Sequence, residues 1–274
     1  VTTITANGDY VLGTGNDEIA RLGLQHVVWR SRALGAWRRA GFTVGQTLLD
    51  VGCGPGHASV DLAEIVGASG QVLALDRSRR FLDALLTTRQ ARGLSQLAAQ
   101  ELDLDLADLP AAQADGAWCR WVLAFVKQPR DLLARIAAAL RPGGTLVVHE
   151  YFDYGTWRVM PRSRDIEEFV RVVMESWRAE GGEPDVGLDV PSWLAEVRFE
   201  LKTIRTIVDV IPPSNLIWQW PKTFFQSGLR RLVELDYLTP ERACAMAHAF
   251  ADCETAPNAL MVTPAVIEII AVRQ

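Results

Sequence analysis

No apolar stretch in this 274-residue chain reaches the roughly 18 residues that a membrane span requires, so no transmembrane helix and no membrane partner are expected. Residues 1–10 lack the basic start and apolar core of a secretory signal, which points to a cytoplasmic setting. Basic residues are in deficit, 28 against 33 acidic ones. A nucleic-acid binder usually carries a basic excess, so no nucleic-acid partner is expected. The local cluster Arg30, Arg32, Arg38 and Arg39 reads as a solvated helix face. Cysteines are few, and Cys53, Cys119, Cys244 and Cys253 are spaced neither for zinc nor for a disulfide scaffold; they read as buried free thiols. The four histidines include no H-x-x-x-H pair, so no metal site is expected. Internal repeats and low-complexity tracts are absent. What remains is an ordinary globular composition, 49% hydrophobic and 22% charged.

Periodicity predicts a helix over 17–40, with Ile19, Leu22, His26, Trp29, Ala33, Ala36 and Ala40 on one face. It forms an N-terminal helical cap over 1–44. From residue 45 the rhythm changes to short apolar runs alternating with helices. Strands are predicted at 47–51, 71–76, 117–123 and 145–149, and helices at 58–66, 79–92 and 130–140. Arg141-Pro142-Gly143-Gly144 closes the last of these helices. This alternation predicts an α/β fold with a doubly wound, mostly parallel sheet covered on both faces, spanning 45–151. A helical insertion follows at 152–198, with a helix over 162–180. The segment 199–274 returns to the core through strands at 199–210 and 265–272. It carries an aromatic-rich insertion at about 212–264 that includes a helix over 240–253. Additions of this size usually cover a ligand.

The sharpest motif is Leu48-Leu49-Asp50-Val51-Gly52-Cys53-Gly54-Pro55-Gly56, between a predicted strand and a predicted helix. Glycines there permit a tight turn and a close backbone approach to a ligand, and the helix start offers free N–H groups. The spacing is G-x-G-x-G. A dinucleotide fingerprint would need glycine or alanine at His57 or Ser59, and no Gly-Lys-Ser/Thr follows to make a P-loop. Asp76 ends the second predicted strand, where a carboxylate can accept both hydroxyls of a ribose. Asp105, in Leu104-Asp105-Leu106-Ala107-Asp108-Leu109-Pro110, suits an adenine amino group, and Asp103 takes its place if the register slips by two.

Together these segments resemble a class I S-adenosylmethionine-dependent methyltransferase. The glycine loop is similar to that family's first motif, Ala74-Leu75-Asp76 to its second, and Asp105–Pro110 to its third. Asp115-Gly116-Ala117-Trp118-Cys119-Arg120-Trp121-Val122-Leu123 resembles the fourth, and Leu140-Arg141-Pro142-Gly143-Gly144 the entry to strand five. The resemblance covers about 45–150. Tyr10-Val11-Leu12-Gly13 with Arg21 and Gln25 is similar to the N-terminal cap of the small-molecule, quinone-biosynthesis-like branch. It implies a seven-stranded sheet and S-adenosylmethionine as cofactor. Gly52, Cys53, Gly54 and Gly56 would pass the methionine part and Asp76 would hold the ribose. Arg77, Asp105 and Leu106 would contact the adenine, Leu106 through its backbone. Cys119 and Arg120 would close over the methionine end, and Tyr10, Arg21 and Gln25 would form a lid.

Acceptor-side candidates follow the fifth strand, because ligands of open parallel sheets sit beyond the strands' carboxyl ends. Glu150, His149 and Tyr151 are the candidate bases, and Asp153 a candidate acceptor contact; a polar loop exit explains them equally well. Trp157, Trp218, Trp220 and Phe224 are candidates for an apolar acceptor pocket, with ordinary core as the alternative. His26 and His57 read as structural. The expected activity is methyl transfer to a small, partly apolar molecule by a monomer or homodimer. A cofactor-binding protein that transfers nothing, such as a cyclase-type natural-product enzyme or a sensor, stays open, and an NAD(P)-dependent oxidoreductase is the remaining alternative.

Overall fold

The computed structural model describes residues 14–110 and 113–274. The chain opens with α1 (Asn16–Arg39). It then alternates through β1 (Thr47–Val51), α2 (His57–Val66), β2 (Gln71–Asp76), α3 (Arg79–Arg92), β3 (Leu97–Glu101), β4 (Ala114–Arg120), α4 (Pro129–Ala139) and β5 (Leu140–Asp153). β6 (Arg158–Met160), α5 (Arg164–Ala179) and α6 (Val190–Glu196) follow, then β7 (Phe199–Ile207), β8 (Val210–Ile211), α7 (Gln219–Glu234), α8 (Pro240–Thr255), β9 (Leu260–Val262) and β10 (Ala265–Arg273). The helix ends obey local chemistry. Ser78 Oγ accepts from Phe81 N at the start of α3, and Gly93 ends that helix in a left-handed conformation. Thr239 caps α8, with Pro240 in its first turn.

Seven strands form one sheet in the order β3-β2-β1-β4-β5-β10-β7. Neighbours from β3 to β5 pair in parallel, and β10 runs antiparallel between β5 and β7. The α/β, mostly parallel reading therefore holds. The strand order reverses at β1, beside β4, and this switch point opens a crevice beyond the carboxyl ends. One apolar core lies between the sheet and α4 with α6, and another between the sheet and α1 with α2. A third, rich in tryptophan, joins α1 to α5, α7 and α8.

The structure corrects several boundaries. β4 ends at Arg120 rather than 123, because Trp121 turns left-handed (φ 53°) and the N–H groups of Val122 and Leu123 bond to Glu150 instead of a strand. The segment expected as a turn at Arg141-Pro142-Gly143-Gly144 is an excursion within β5: Leu140 pairs with Ala114, and Thr145 already pairs with Gly116. The strand expected over 199–210 is divided. Its end, β8, leaves for a three-stranded sheet with β6 and β9. The buried face of α1 also differs from the predicted one. Glu18, Arg21 and Gln25 are buried while Ile19 and Leu22 are only partly so, because the three polar side chains bond to one another.

Candidate active site

The turn after β1 is built from three left-handed glycines, Gly52 (φ 71°), Gly54 (φ 55°) and Gly56 (φ 83°). A Cβ on Gly52 would stand 2.3 Å from Val122 Cγ2, and one on Gly56 would stand 2.2 Å from Leu85 Cδ1. Those two glycines are demanded by packing as well as by φ. Gly54 differs: an added Cβ would make only an ordinary contact, with Leu22 Cδ1 at 3.9 Å, so packing does not demand glycine there. Gly56→Ala is expected to cost about 2–4 kcal/mol, from overpacking added to backbone strain. The control Gly93→Ala, also left-handed but with nothing within 4 Å of the added Cβ, is expected to cost only about 1–2 kcal/mol. Urea unfolding of the two variants checks the difference.

The turn is one wall of a cleft of about 1160 Å³, its open mouth included. One end is lined by Asp76, Arg77, Phe81, Asp103 and Asp105. The other is lined by Gln25, His26, His57, Trp118, Arg120 and Trp121. Asp76 braces the turn: its Oδ2 accepts from Gly54 N and its Oδ1 from Ser78 N, both at 2.8 Å. Burial pushes its pKa up, and those two N–H groups pull it back. Each carboxylate oxygen keeps a further lone pair for a ligand hydroxyl. Asp50, at the floor of the cleft, accepts from Ser59 Oγ at 2.5 Å and is pushed up to about 6 by burial. Sequence reasoning passed over Asp50 although it stands inside the glycine motif.

The remaining predicted residues divide. Cys53 lines the cleft, but burial pushes its thiol up, so it is no nucleophile at neutral pH. Asp105 lines it too, with Oδ1 already accepting from Lys127 N at 2.7 Å. Gly56 lies behind the lining, against Leu85. Leu106 is corrected: its N–H bonds to Asp103 O, and its side chain is 83% exposed and absent from the lining. Cys119 is corrected by strand alternation. Trp118 and Arg120 face the cleft, while Cys119 is buried in the core on the opposite face. Gln25 lines the cleft, whereas Arg21 is drawn away into an ion pair with Glu18 at 2.6 Å. Tyr10 lies outside the described residues.

The three candidate bases do not reach the cleft. Glu150 is fully buried and turned back on the chain, its Oε1 accepting from Val122 N and Leu123 N at 2.7 Å. His149 is sealed in the core with Nε2 against Glu268 Oε2 at 3.1 Å. Tyr151 stacks on Trp121 in the aromatic core, with ring centres 5.5 Å apart. Asp153 is exposed at the end of β5, outside the lining. Trp157, Trp218, Trp220 and Phe224 are buried packing residues between α1, α5, α7 and α8 and do not line the cleft. Their apolar bulk finds its partners inside that core. Trp220 backs the cleft only indirectly, by stacking on Trp121 at 5.6 Å.

His57 opens α2 and His26 is a buried, hydrogen-bonded residue of α1, as expected of structural histidines, and both also line the cleft. His26 Nε2 faces Asp61 Oδ2 at 3.0 Å, and its Nδ1 faces Arg120 Nη2 at 3.3 Å. One neutral tautomer satisfies both contacts: Nε2–H donates to the carboxylate and Nδ1 accepts from the guanidinium. Burial lowers the pKa of His26 and outweighs the Asp61 hydrogen bond, and burial lowers that of His57 as well. No local signal links His26 to Asp61, 35 residues away.

Residues 49–148 match a family described as a methyltransferase domain. The chain is 30% identical over 128 residues to a demethylmenaquinone methyltransferase of Oceanobacillus iheyensis, covering 46% of this chain and 52% of that protein. It is 34% identical over 120 residues to the O-methyltransferase resE of Aspergillus sclerotiorum, covering 43% and 44%. It thus spans about half the length of these relatives. Among solved structures, a methyltransferase-like protein of Bacillus halodurans superposes with a TM-score of 0.59 at 15% identity, over 89% of this chain and 99% of that one, a likeness of fold. Among the described residues no cluster of His, Cys, Asp or Glu could hold a metal ion, and no helix is long and apolar enough to cross a membrane.

Proposed function

We propose that the chain transfers a methyl group from S-adenosylmethionine to an O, N or C atom of a small, partly apolar molecule. The observation that carries this reading is the bond of Gly54 N to Asp76 Oδ2, which sets the bare glycine turn and the strand-end carboxylate side by side on one cleft. The residues fit the cofactor. Bare backbone at Gly54 would leave room beside the methionine portion, Asp76 offers two lone pairs to ribose hydroxyls, and Arg77, Asp103 and Asp105 would line the adenine end. When bound, the cofactor supplies a methyl group activated by a sulfonium leaving group.

The protein's own task is alignment and exclusion of water. Proximity and orientation can supply about 7–11 kcal/mol in favourable cases. Trp118, Trp121, Val122 and Phe125 give the cleft an apolar wall, against which an acceptor would be held dry. Glu150 fixes the main chain of that wall from behind.

Isothermal calorimetry of the purified protein tests the reading. S-adenosylmethionine and S-adenosylhomocysteine are expected to bind one per chain, with NADH and NADPH giving no heat. Heat with a dinucleotide and none with either adenosyl ligand overturns it. Release of S-adenosylhomocysteine on adding a cell-extract fraction, with a metabolite gaining one methyl by mass spectrometry, identifies turnover.

A further inference from the structure

Arg120, the last residue of β4, lines the cleft between Trp118 and Trp121 on one side and His26 on the other. Its guanidinium lies 5.5 Å from the ring centre of Trp118 and 5.1 Å from that of Trp121. It makes no ion pair among the described residues; Asp50 and Asp61 act on it only through space. Nη2 is held by His26, and Nη1 is buried with no hydrogen-bond partner. Two further nitrogens of cleft-lining residues share that condition, Trp121 Nε1 and His57 Nε2. A cation taken out of water without a counter-charge is costly to the fold, and so is a buried donor without an acceptor.

The guanidinium is also aimed. Arg30 Nε and Nη2 donate to Asp61 at 2.8 and 3.1 Å, His26 Nε2 donates to the same carboxylate, and His26 Nδ1 receives Arg120 Nη2. This relay runs from the surface across α1 and α2 to the end of β4. It leaves Nη1 and the neighbouring indole N–H as unclaimed donors beside apolar rings.

The geometry points to Arg120 as an anion-binding residue for the methyl acceptor, so that the acceptor is an apolar, flat molecule bearing an ionised oxygen. Carboxylates and acidic phenols or enols have that chemistry. The flanking Trp118 and Trp121 suit a flat ring, and the guanidinium favours the ionised form of an acidic oxygen beside it. The amino-acid end of the cofactor also carries a carboxylate, but it would bring its ammonium into the field of the same guanidinium. Asp61 and His26 act through Arg120 and are positioning residues. This inference rests on the methyltransferase reading above.

The test is calorimetry on protein saturated with S-adenosylhomocysteine, using 2-naphthoate and its neutral isostere 2-naphthamide as probes. Wild type is expected to bind the carboxylate at least tenfold more tightly than the amide. Arg120→Gln is expected to erase that preference while changing S-adenosylhomocysteine affinity less than threefold, and Arg120→Lys to retain part of it. Equal affinity for the two probes, or no heat with naphthoate, overturns the inference, and the wild-type comparison stands even if a variant fails to fold. A tenfold loss of S-adenosylhomocysteine binding in Arg120→Gln, with 5′-methylthioadenosine unaffected, also overturns it, because the arginine then serves the cofactor's carboxylate. Absence of S-adenosylhomocysteine binding to wild type is a separate failure, that of the methyltransferase reading itself.

Discussion

Asp76→Ala is expected to weaken S-adenosylhomocysteine binding by at least about a hundredfold. Hydrogen bonds to a charged group contribute about 1.5–3 kcal/mol each, and two ribose hydroxyls would lose their acceptor together. The variant also removes the acceptors of Gly54 N and Ser78 N, so the ligand-free protein is expected to unfold at lower temperature as well. Asp76→Asn separates the two effects incompletely, since its amide nitrogen would face one of those N–H groups. Thermal unfolding with and without ligand separates them better. Wild type gains about 2.7 kcal/mol at a ligand concentration of one hundred times Kd, whereas Asp76→Ala gains almost nothing at the same concentration. An unchanged ligand-induced shift in Asp76→Ala would place the ribose elsewhere.

The core sheet is legible in the sequence because its strands are near-continuous apolar runs and its turns carry glycines. The span 79–92 coincides with α3, since Ser78 and Gly93 mark its two ends. Legibility fails wherever the decisive partner is distant. The small β6-β9-β8 sheet has strands of two or three residues, too short for any period to show. The helix α1 hides its buried face because Glu18, Arg21 and Gln25 look like surface residues until their mutual bonds are seen. His26 reads as a satisfied core residue and is one, but its partners Asp61 and Arg120 are distant in sequence and show only in the fold.

At the site, the glycine turn and Asp76 were readable because their chemistry is local: backbone freedom, and a carboxylate at a strand end. The acceptor side was not. Position at the end of the strand expected over 145–149 suggested Glu150, His149 and Tyr151, yet all three lie within β5, where side-chain direction is set by what lies behind the sheet. Glu268 on β10 draws His149 away, and the bare N–H groups of the turn after β4 draw Glu150. The aromatic group in the additions was ambiguous for the same reason, since burial against α1 and accessibility to a ligand have one composition in common. The apolar lining of the cleft comes instead from residues of the β4 region, Trp118, Trp121 and Val122, and from Phe125.

Glu150→Gln is therefore expected to raise stability at alkaline pH and leave turnover intact. Burial without a counter-charge raises the pKa of Glu150 from 4.5 to about 8, outweighing the N–H groups that bond to it. The native state thus holds a proton that the unfolded chain releases above its own pKa. The stabilisation from that proton is complete below about 4.5 and is lost as pH rises through about 8. An uncharged amide can keep its oxygen on Val122 N and Leu123 N and carries no proton to lose. At pH 9 the variant would exceed wild type by up to about 5 kcal/mol, an upper bound from some 3.5 pKa units at 1.36 kcal/mol each. Local relaxation around the charged form reduces this. Below pH 4.5 the two proteins should coincide. Glu150→Ala should instead lose about 1–3 kcal/mol for each of the two N–H groups it strands, and should loosen the turn that carries Trp121. Urea unfolding from pH 4 to 9 supplies the stability curves, and S-adenosylhomocysteine release supplies the rates. If Glu150 were the general base, the glutamine variant would lose turnover at every pH while its stability still rose. A silent stability curve with lost turnover would refute the anchoring role directly.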